Sequence, residues 1–357
     1  MKPRALHQVL VGATAGDAIT DHALMIQRWL RADGYESDIF AEHIHPSMAD
    51  RVRPFARYRP RRREPWLIFH HSVGDPMVAQ VTALSPRLIL IYHNITPARY
   101  FAGIDPAWVH RARLGEQQLA RLQPRADLAL AVSDYNAADL RAAGFDNVAV
   151  LPLPLDAAPY QGALNETLAA DLRAHPGPLL LFVGRLAPNK RQEDLLKLLF
   201  YLRRLRPTAR LALVGDPWVM GYGDWLRGEA TRLGMGDALL LPGKVLAADL
   251  VTYYRCADWF VSMSEHEGFG KPLVECMAAE LPVLAFAAGA VPATLGDAGI
   301  LFHHKHYPAL AELIHLLLDD APLRRRLIAR QRQRLPTFLE PAVRRAWNAH
   351  LADVISG

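Results

Sequence analysis

The chain of 357 residues carries 41 Lys and Arg against 36 Asp and Glu, is 51% hydrophobic, and holds two Cys, 23 Gly and 26 Pro. That length exceeds one small core and suits two domains, and the apolar fraction excludes disorder over most of the chain. Cys256 and Cys276 make neither a disulfide framework nor a zinc motif, so a reducing, cytoplasmic setting is expected.

The opening segment, MKPRALHQVLVGATAGD, has a short apolar run broken by His7 and Gln8. It reads as a buried strand rather than a signal peptide. No stretch reaches the ~18 apolar residues that a membrane-spanning helix needs. Strand 8–13 is followed by a helix over 19–34, closed by Gly34. Residues 51–63, RVRPFARYRPRRR, carry seven Arg and no acid. They read either as a solvated loop or as a patch for lipid headgroups or an anionic acceptor. Nucleic acid is disfavoured there, because the run lacks the interleaved aromatic pattern of single-strand binders and no recognised nucleic-acid motif accompanies it.

Strands follow at 66–71, 87–93 and 126–133, with helices at 105–123 and 136–144, and 147–156 ends the first block. Prolines at 152, 154, 159, 176 and 178 then mark an interdomain connection. Alternation restarts with strands at 179–184, 209–215, 238–243, 258–264, 282–288 and 299–302. Helices fall at 191–206, 222–233, 247–257 and 271–280, and helical segments at 307–319, 322–334 and 340–355 close the chain. Strands that are apolar throughout, alternating with helices, imply parallel sheets covered on both faces. The fold expected is α/β, two doubly wound Rossmann-like domains facing a central cleft. The N-terminal domain is expected over 1–156, a linker over 157–178, the C-terminal domain over 179–336, and a helix over 337–357 returning to the first domain. Ligands of such sheets bind at the carboxyl ends of the strands.

The most informative segment is SEHEGFGKPLVECMA, residues 264–278. Glu267 follows a buried strand, Gly268 and Gly270 free the backbone around Phe269, and Pro272 suits a first helical turn. Exposed N–H groups at that helix start make a site for an anion such as a diphosphate. Glu275, one turn in, leans back toward the helix start and can accept from a diol such as ribose. Either acid taken alone is equally a solvated or capping residue; the Gly-Phe-Gly loop between them favours a ligand. In FVGRLAPNKRQEDL (182–195), Arg185 and Lys190 share one strand–loop–helix turn. They either hold a diphosphate and neutralise its charge as it leaves, or are surface charge, as Arg191 beside Lys190 allows.

His70 and His71 end a strand and are either acceptor contacts or structural. With His93 they lack a carboxylate at metal-site spacing, and no metal is expected. Trp66, Trp218, Trp225 and Trp259 read as core. The chain has no Asp-x-Asp, no G-x-x-x-x-G-K-[ST] and no strand-placed G-x-G-x-x-G, which disfavours metal-dependent sugar-nucleotide, NTPase and dinucleotide readings.

GR(x4)K followed by EGFGKPLVE resembles retaining glycosyltransferase family 4 of the GT-B fold. VSDYNAADLRAAGFDNVAVLPLPLD (132–156) looks like that family's exit from the first domain. YHNITPARYF (92–101) with GDAIT (16–20) resembles bacterial enzymes of lipopolysaccharide or exopolysaccharide assembly. The resemblance implies a hexosyltransferase moving a sugar from GDP-mannose or a UDP-sugar to an acceptor hydroxyl with retention. Arg185 and Lys190 would bind the diphosphate, Glu275 the ribose, and Glu267 and His93 the donor sugar. Gly16 and Asp17 would lie near phosphates and acceptor, and backbone groups of Phe269, Gly270 and Lys271 would meet phosphate. The base would be read near Gly215 and Lys244. Ala293 stands where the family often has an acid. The implied partners are a nucleotide-sugar donor and a saccharide or polyprenol-linked acceptor, with Arg51–Arg63 against an anionic membrane face at the cytoplasmic side, and no nucleic acid. A GT-B sugar-nucleotide epimerase and a catalytically silent sugar-nucleotide binder are the alternatives.

Overall fold

Runs that are apolar throughout become parallel strands in this chain, because helices cover both faces of each sheet. The computed structural model describes residues 5–60, 66–84 and 87–355. It divides into two compact units, one ending at Pro154 and resuming at Glu340, the other Leu155–Leu339.

The first unit runs β1 (Gln8–Ala13), α1 (Ala18–Ala32), β2 (Ile39–Ile44), β3 (Arg53–Pro54), β4 (Trp66–His71), α2 (Met77–Leu84), β5 (Arg87–Tyr92), α3 (Pro106–Leu122), β6 (Ala126–Ala131), α4 (Asp134–Ala142) and β7 (Val148–Val150). Its seven strands lie in the order β3-β2-β1-β4-β5-β6-β7, and every paired neighbour is parallel. The order reverses between β1 and β4, where a doubly wound sheet opens its binding crevice. The chain's last helix, Glu340–Ile355, belongs to this unit. Its Val343, Trp347 and Leu351 share a buried cluster with Trp29, Leu30 and Ile68. Glu340 accepts from Trp29 Nε1 at 2.8 Å and Arg28 Nη2 at 2.6 Å.

The strands β2 and β3 and the helix α2 are not among the elements predicted from sequence. β2 carries the exposed pair Glu42 and His43 before its last residue, Ile44, and α2 is an eight-residue element without a polar face. The arginine-rich run is in part an edge strand rather than a loop. Arg51, Arg53, Arg57 and Arg59 are exposed, while Val52, Phe55 and Tyr58 between them are buried. Arg53 pairs with Asp38 at 2.8 Å. Arg61, Arg62 and Arg63 lie outside the described residues.

The second unit runs α5 (Ala158–Gln161), α6 (Glu166–Ala174), β8 (Leu179–Val183), α7 (Gln192–Leu205), β9 (Arg210–Val214), α8 (Tyr222–Arg232), β10 (Leu239–Gly243), α9 (Ala247–Cys256), β11 (Trp259–Ser262), α10 (Lys271–Ala279), β12 (Val283–Phe286), α11 (Val291–Leu295), β13 (Ile300–Phe302), α12 (Tyr307–Asp319) and α13 (Ala321–Arg334). Six parallel strands lie in the order β10-β9-β8-β11-β12-β13. Here the order reverses between β8 and β11, whose register pairs Leu180 with Trp259 and Leu181 with Phe260.

Residues 157–178, expected as a linker, instead contain α5 and α6 of the second unit. The prolines that suggested a linker sit at helix edges, Pro159 in the first turn of α5 and Pro176 and Pro178 beyond α6. Asn165 caps α6, and its amide donates to Asp249 at 2.7 Å, which ties this segment to α9. Among the described residues, no helix is long and apolar enough to cross a membrane.

Trp347 is fully buried against Trp29. Trp347→Ala should cost about 3–5 kcal/mol through lost transfer energy and a residual cavity. It should lower the urea midpoint of unfolding without changing its slope; an unaltered midpoint contradicts the placement of this helix.

Candidate active site

The carboxyl ends of β8 and β11 are neighbours at the reversal point of the second sheet, so the loops that leave them must meet. Two backbone-directed bonds hold them together. Asn189, which is buried, donates from Nδ2 to His266 O at 3.1 Å, and its carbonyl accepts from Glu265 N at 2.9 Å. This brings Lys190 Nζ to 2.6 Å from Glu267 Oε1. Both side chains keep partial exposure, 19% and 14%. The pair is therefore neither stranded in the core nor fully screened.

Glu267 is fixed from behind. Its carbonyl accepts from Ala290 N at 2.9 Å, and a Cβ on Gly289 would lie 2.5 Å from the same oxygen. Gly289 also has φ +55°, so the turn after β12 demands glycine twice over. Beyond Glu267, Gly270 adopts φ +83° and starts α10, and no side chain caps that helix. The amide end of α10 carries the partial positive charge that attracts an anion. Glu275 is 6% exposed; Tyr254 Oη donates to its Oε2 at 2.6 Å, and Lys271 Nζ lies 3.7 Å from its Oε1. Burial and the Glu275 charge push the Tyr254 hydroxyl well above its usual pKa, so it remains a donor. One carboxylate oxygen of Glu275 is thereby fixed, and the other sits on the Lys271 side.

Arg185 lies on the same loop as Lys190, with its guanidinium 5.2 Å from the Trp218 ring centroid. Arg191, whose position beside Lys190 left the loop ambiguous, is engaged elsewhere. It lies 2.9 Å from Glu193, 3.3 Å from Asp194 and 3.4 Å from Glu265. Lys305 bridges two of these acids, at 3.0 Å from Asp194 and 2.7 Å from Glu265. Gly215 approaches β8 so closely that a Cβ would meet Gly184 O at 2.1 Å. Lys244 is exposed after β10, and its N–H donates to Asp216 Oδ1 at 3.1 Å. Ala293 lies in α11 and offers its carbonyl to Arg334.

The first unit holds the other candidates. Gly16 has φ +74°, and Asp17 caps α1, accepting from Ile19 N at 3.2 Å and Thr20 N at 3.4 Å. His71 is buried and bonded to Gly115 O at 3.0 Å, which makes it structural. His93 Nε2 lies 2.9 Å from His70 Nδ1, and His70 Nε2 lies 2.9 Å from Gln8 Oε1. His93 Nδ1 is buried without a partner, so both its ring nitrogens face into the unit.

The structure thus gathers Lys190, Glu267, Phe269, Gly270, Lys271 and Glu275 around two adjoining loops, with Arg185 on one of them. The sequence reading missed Asn189, Tyr254, Lys305 and His22, because each lies in a stretch whose spacing reads as loop or core. Two of the four tryptophans read as core differ. Trp225 is half exposed and stacks on Tyr222 with centroids 5.9 Å apart, and Trp218 lies beneath Arg185.

Residues 166–334 match the family described as Glycosyl transferases group 1. A D-inositol 3-phosphate glycosyltransferase from Stackebrandtia nassauensis is 31% identical over 230 residues, covering 61% of this chain and 50% of that protein. The chain thus spans about half the length of that curated relative. Sucrose-phosphate synthase (tll1590) from Thermosynechococcus elongatus superposes with a TM-score of 0.78 at 18% identity, covering 99% of this chain and 100% of that one. Anabaena Alr3699/HepE in complex with UDP-glucose superposes with a TM-score of 0.75 at 18% identity, covering 98% and 99%. These likenesses show the fold, two Rossmann-like units of the GT-B class.

The Asp194 carboxylate governs how the two loops are braced. Burial pushes its pKa up, but hydrogen bonds from Lys305 and Tyr307 and the nearby lysine charges outweigh that and bring it from 3.8 to about 2. A folded-state value below the unfolded one adds stability that is complete above the unfolded pKa and is lost as pH falls through the folded one. Unfolding midpoints should therefore fall between pH 3.8 and about 2. Asp194→Asn should flatten that part of the acid limb; an identical limb in the variant contradicts the bracing role.

Proposed function

We propose that the chain, whose residues 166–334 match the glycosyl transferases group 1 family, transfers a hexose from a nucleoside-diphosphate donor to an acceptor hydroxyl, with retention of configuration. The observation that carries this is the Lys190–Glu267 pair on the loops that lead into α7 and α10. An ammonium has three donors, and Glu267 takes one of them. Two are left for a diphosphate that also meets the amides of Gly270 and Lys271.

The donor's bond from the anomeric carbon to the diphosphate breaks, and negative charge grows on the leaving oxygen. Lys190, Arg185 and the positive end of α10 stabilise that charge. The sugar gains oxocarbenium character while the acceptor hydroxyl attacks from the face the diphosphate leaves. The hydroxyl proton passes to a diphosphate oxygen, so no protein nucleophile takes part. Glu275, held by Tyr254, is assigned to the ribose hydroxyls, and Glu267 to the sugar hydroxyls. Gly215 and Lys244 are assigned to the side of the base. In the first unit, Gly16 and Asp17 are assigned to the acceptor side. His93 is assigned to the sugar through its ring edge, since its nitrogens are turned inward.

The likeness to a fold relative solved with UDP-glucose supports a UDP-hexose, and GDP-mannose is the second candidate. The acceptor we assign is a saccharide or a polyprenol-linked saccharide of surface-polysaccharide assembly. The exposed Arg51, Arg57 and Arg59 support an anionic acceptor or membrane face.

Lys190→Ala and Arg185→Ala should each lower the transfer rate by about 100-fold or more while leaving the thermal midpoint near that of the parent protein. Glu275→Ala should act mainly on donor affinity. The measurement is the initial rate of hexose transfer over a panel of UDP- and GDP-hexoses. Parent-level rates in both cation variants contradict the assignment.

A further inference from the structure

Three histidines of the first unit converge where α1, β4 and β5 meet. His22 and His70 are buried, 2% and 1% exposed, and His93 is partly exposed. Each offers one ring nitrogen such that the three atoms lie within 4.8 Å of one another. The His22 ring packs edge to face, its centroid 5.5 Å from that of His93 and 6.0 Å from that of His70, while His70 and His93 stack with centroids 5.2 Å apart.

The proton positions follow from one carbonyl. Gln8 Nε2 lies 2.9 Å from Ala23 O, which can only accept, so that end of the amide is the donor. Gln8 Oε1 is then the acceptor toward His70 Nε2 at 2.9 Å, and His70 carries its proton there. His70 Nδ1 is left as a lone pair aimed at His93. Both ring nitrogens of His22, and His93 Nδ1, are buried and without a partner. Burial of unpaired polar atoms is costly, so three in one cluster need an explanation. Burial also holds the three rings neutral: it lowers the His22 pKa to about 3, and lowers those of His70 and His93 well below 6.5 with help from the neighbouring histidines.

We infer that His22, His70 and His93 form a binding site for a divalent cation of the zinc class. Neutral imidazoles without a carboxylate suit Zn²⁺, Co²⁺ or Ni²⁺ and not the oxygen-seeking Mg²⁺ or Ca²⁺. Two nitrogens on a tetrahedral zinc stand about 3.3 Å apart for ordinary Zn–N lengths. The His70–His93 separation of 2.9 Å therefore opens by only a few tenths of an ångström. On binding, His93 moves its proton from Nε2 to Nδ1, so both facing nitrogens present lone pairs and no proton is released. Gln8 holds the far nitrogen of His70, the outer contact that orients a metal-binding imidazole. The ion would tie α1 to the ends of β4 and β5, and a fourth position stays open.

The test is calorimetric titration of the full chain, stripped with chelator, with Zn²⁺ alone, with Co²⁺ absorption reporting the geometry. One equivalent should bind with a tetrahedral Co²⁺ spectrum. His22→Leu should weaken binding by at least about a hundredfold, and Gln8→Leu by about ten- to a hundredfold. His303→Ala with His304→Ala, in the exposed surface run, should leave it unchanged. If His22→Leu does not fold, the parent protein's imidazole ¹⁵N signals should still shift for three histidines on adding Zn²⁺. No binding by the parent protein overturns the inference, as does binding that survives His22→Leu and disappears in the surface variant. Because no donor is present, either failure leaves the transfer reading standing.

Discussion

The ion pair between Lys190 and Glu267 depends on a topological fact: β8 and β11 are adjacent and parallel, although β9, β10 and their helices lie between them in the chain. Reversal of strand order at that point leaves their carboxyl ends uncovered by a crossover helix. The loops that emerge are positioned by each other and by the turn after β12. Asn189 does this through two backbone contacts, and Gly289 leaves room for the Glu267 carbonyl behind them. Every other group in the site takes its place from that junction. α10 starts where the Glu267 loop ends, and Glu275 is one turn further along the same helix.

The electrostatics are arranged to keep a cation exposed while its neighbours are neutralised. Arg191, Lys197 and Lys305 are committed to Glu193, Asp194 and Glu265. Lys190 has a partner that a diphosphate can share, and its partial exposure limits the cost of holding charge there. The first unit repeats the doubly wound topology with the opposite content. Around its reversal point lie neutral imidazoles, a glutamine and a capping aspartate. The same backbone plan thus carries a cluster of charged side chains in one unit and a buried nitrogen cluster in the other, which is how one fold hosts different chemistry.

Much of this was legible in the sequence. Long apolar strands such as WLIFHH and LLLFV announce parallel pairing by themselves, and Gly-Phe-Gly before Lys-Pro announces a helix start. Short or polar-broken elements were not legible: β2 is interrupted by the exposed Glu42 and His43, and β3 has two residues. The proline-rich stretch misled because Pro159 sits as comfortably in the first turn of α5 as in a linker. His22 was hidden by its helix. Its place among Ala23, Ile26 and Leu30 on the buried face of α1 is that of a core residue, and only the fold brings it to His70 and His93. Tyr254, which holds Glu275, and Lys190, which pairs with Glu267, lie 21 and 77 residues away in the chain, beyond any local pattern.

The most direct measurement is the equilibrium affinity of the full chain for nucleoside diphosphates against the matching monophosphates, in the uridine and guanosine series. The account predicts that the preferred diphosphate binds at least about tenfold tighter than its monophosphate, as a cation-held second phosphate requires. That gap should close in Lys190→Met. Equal affinities in the parent protein, or a gap unchanged by Lys190→Met, would contradict the account.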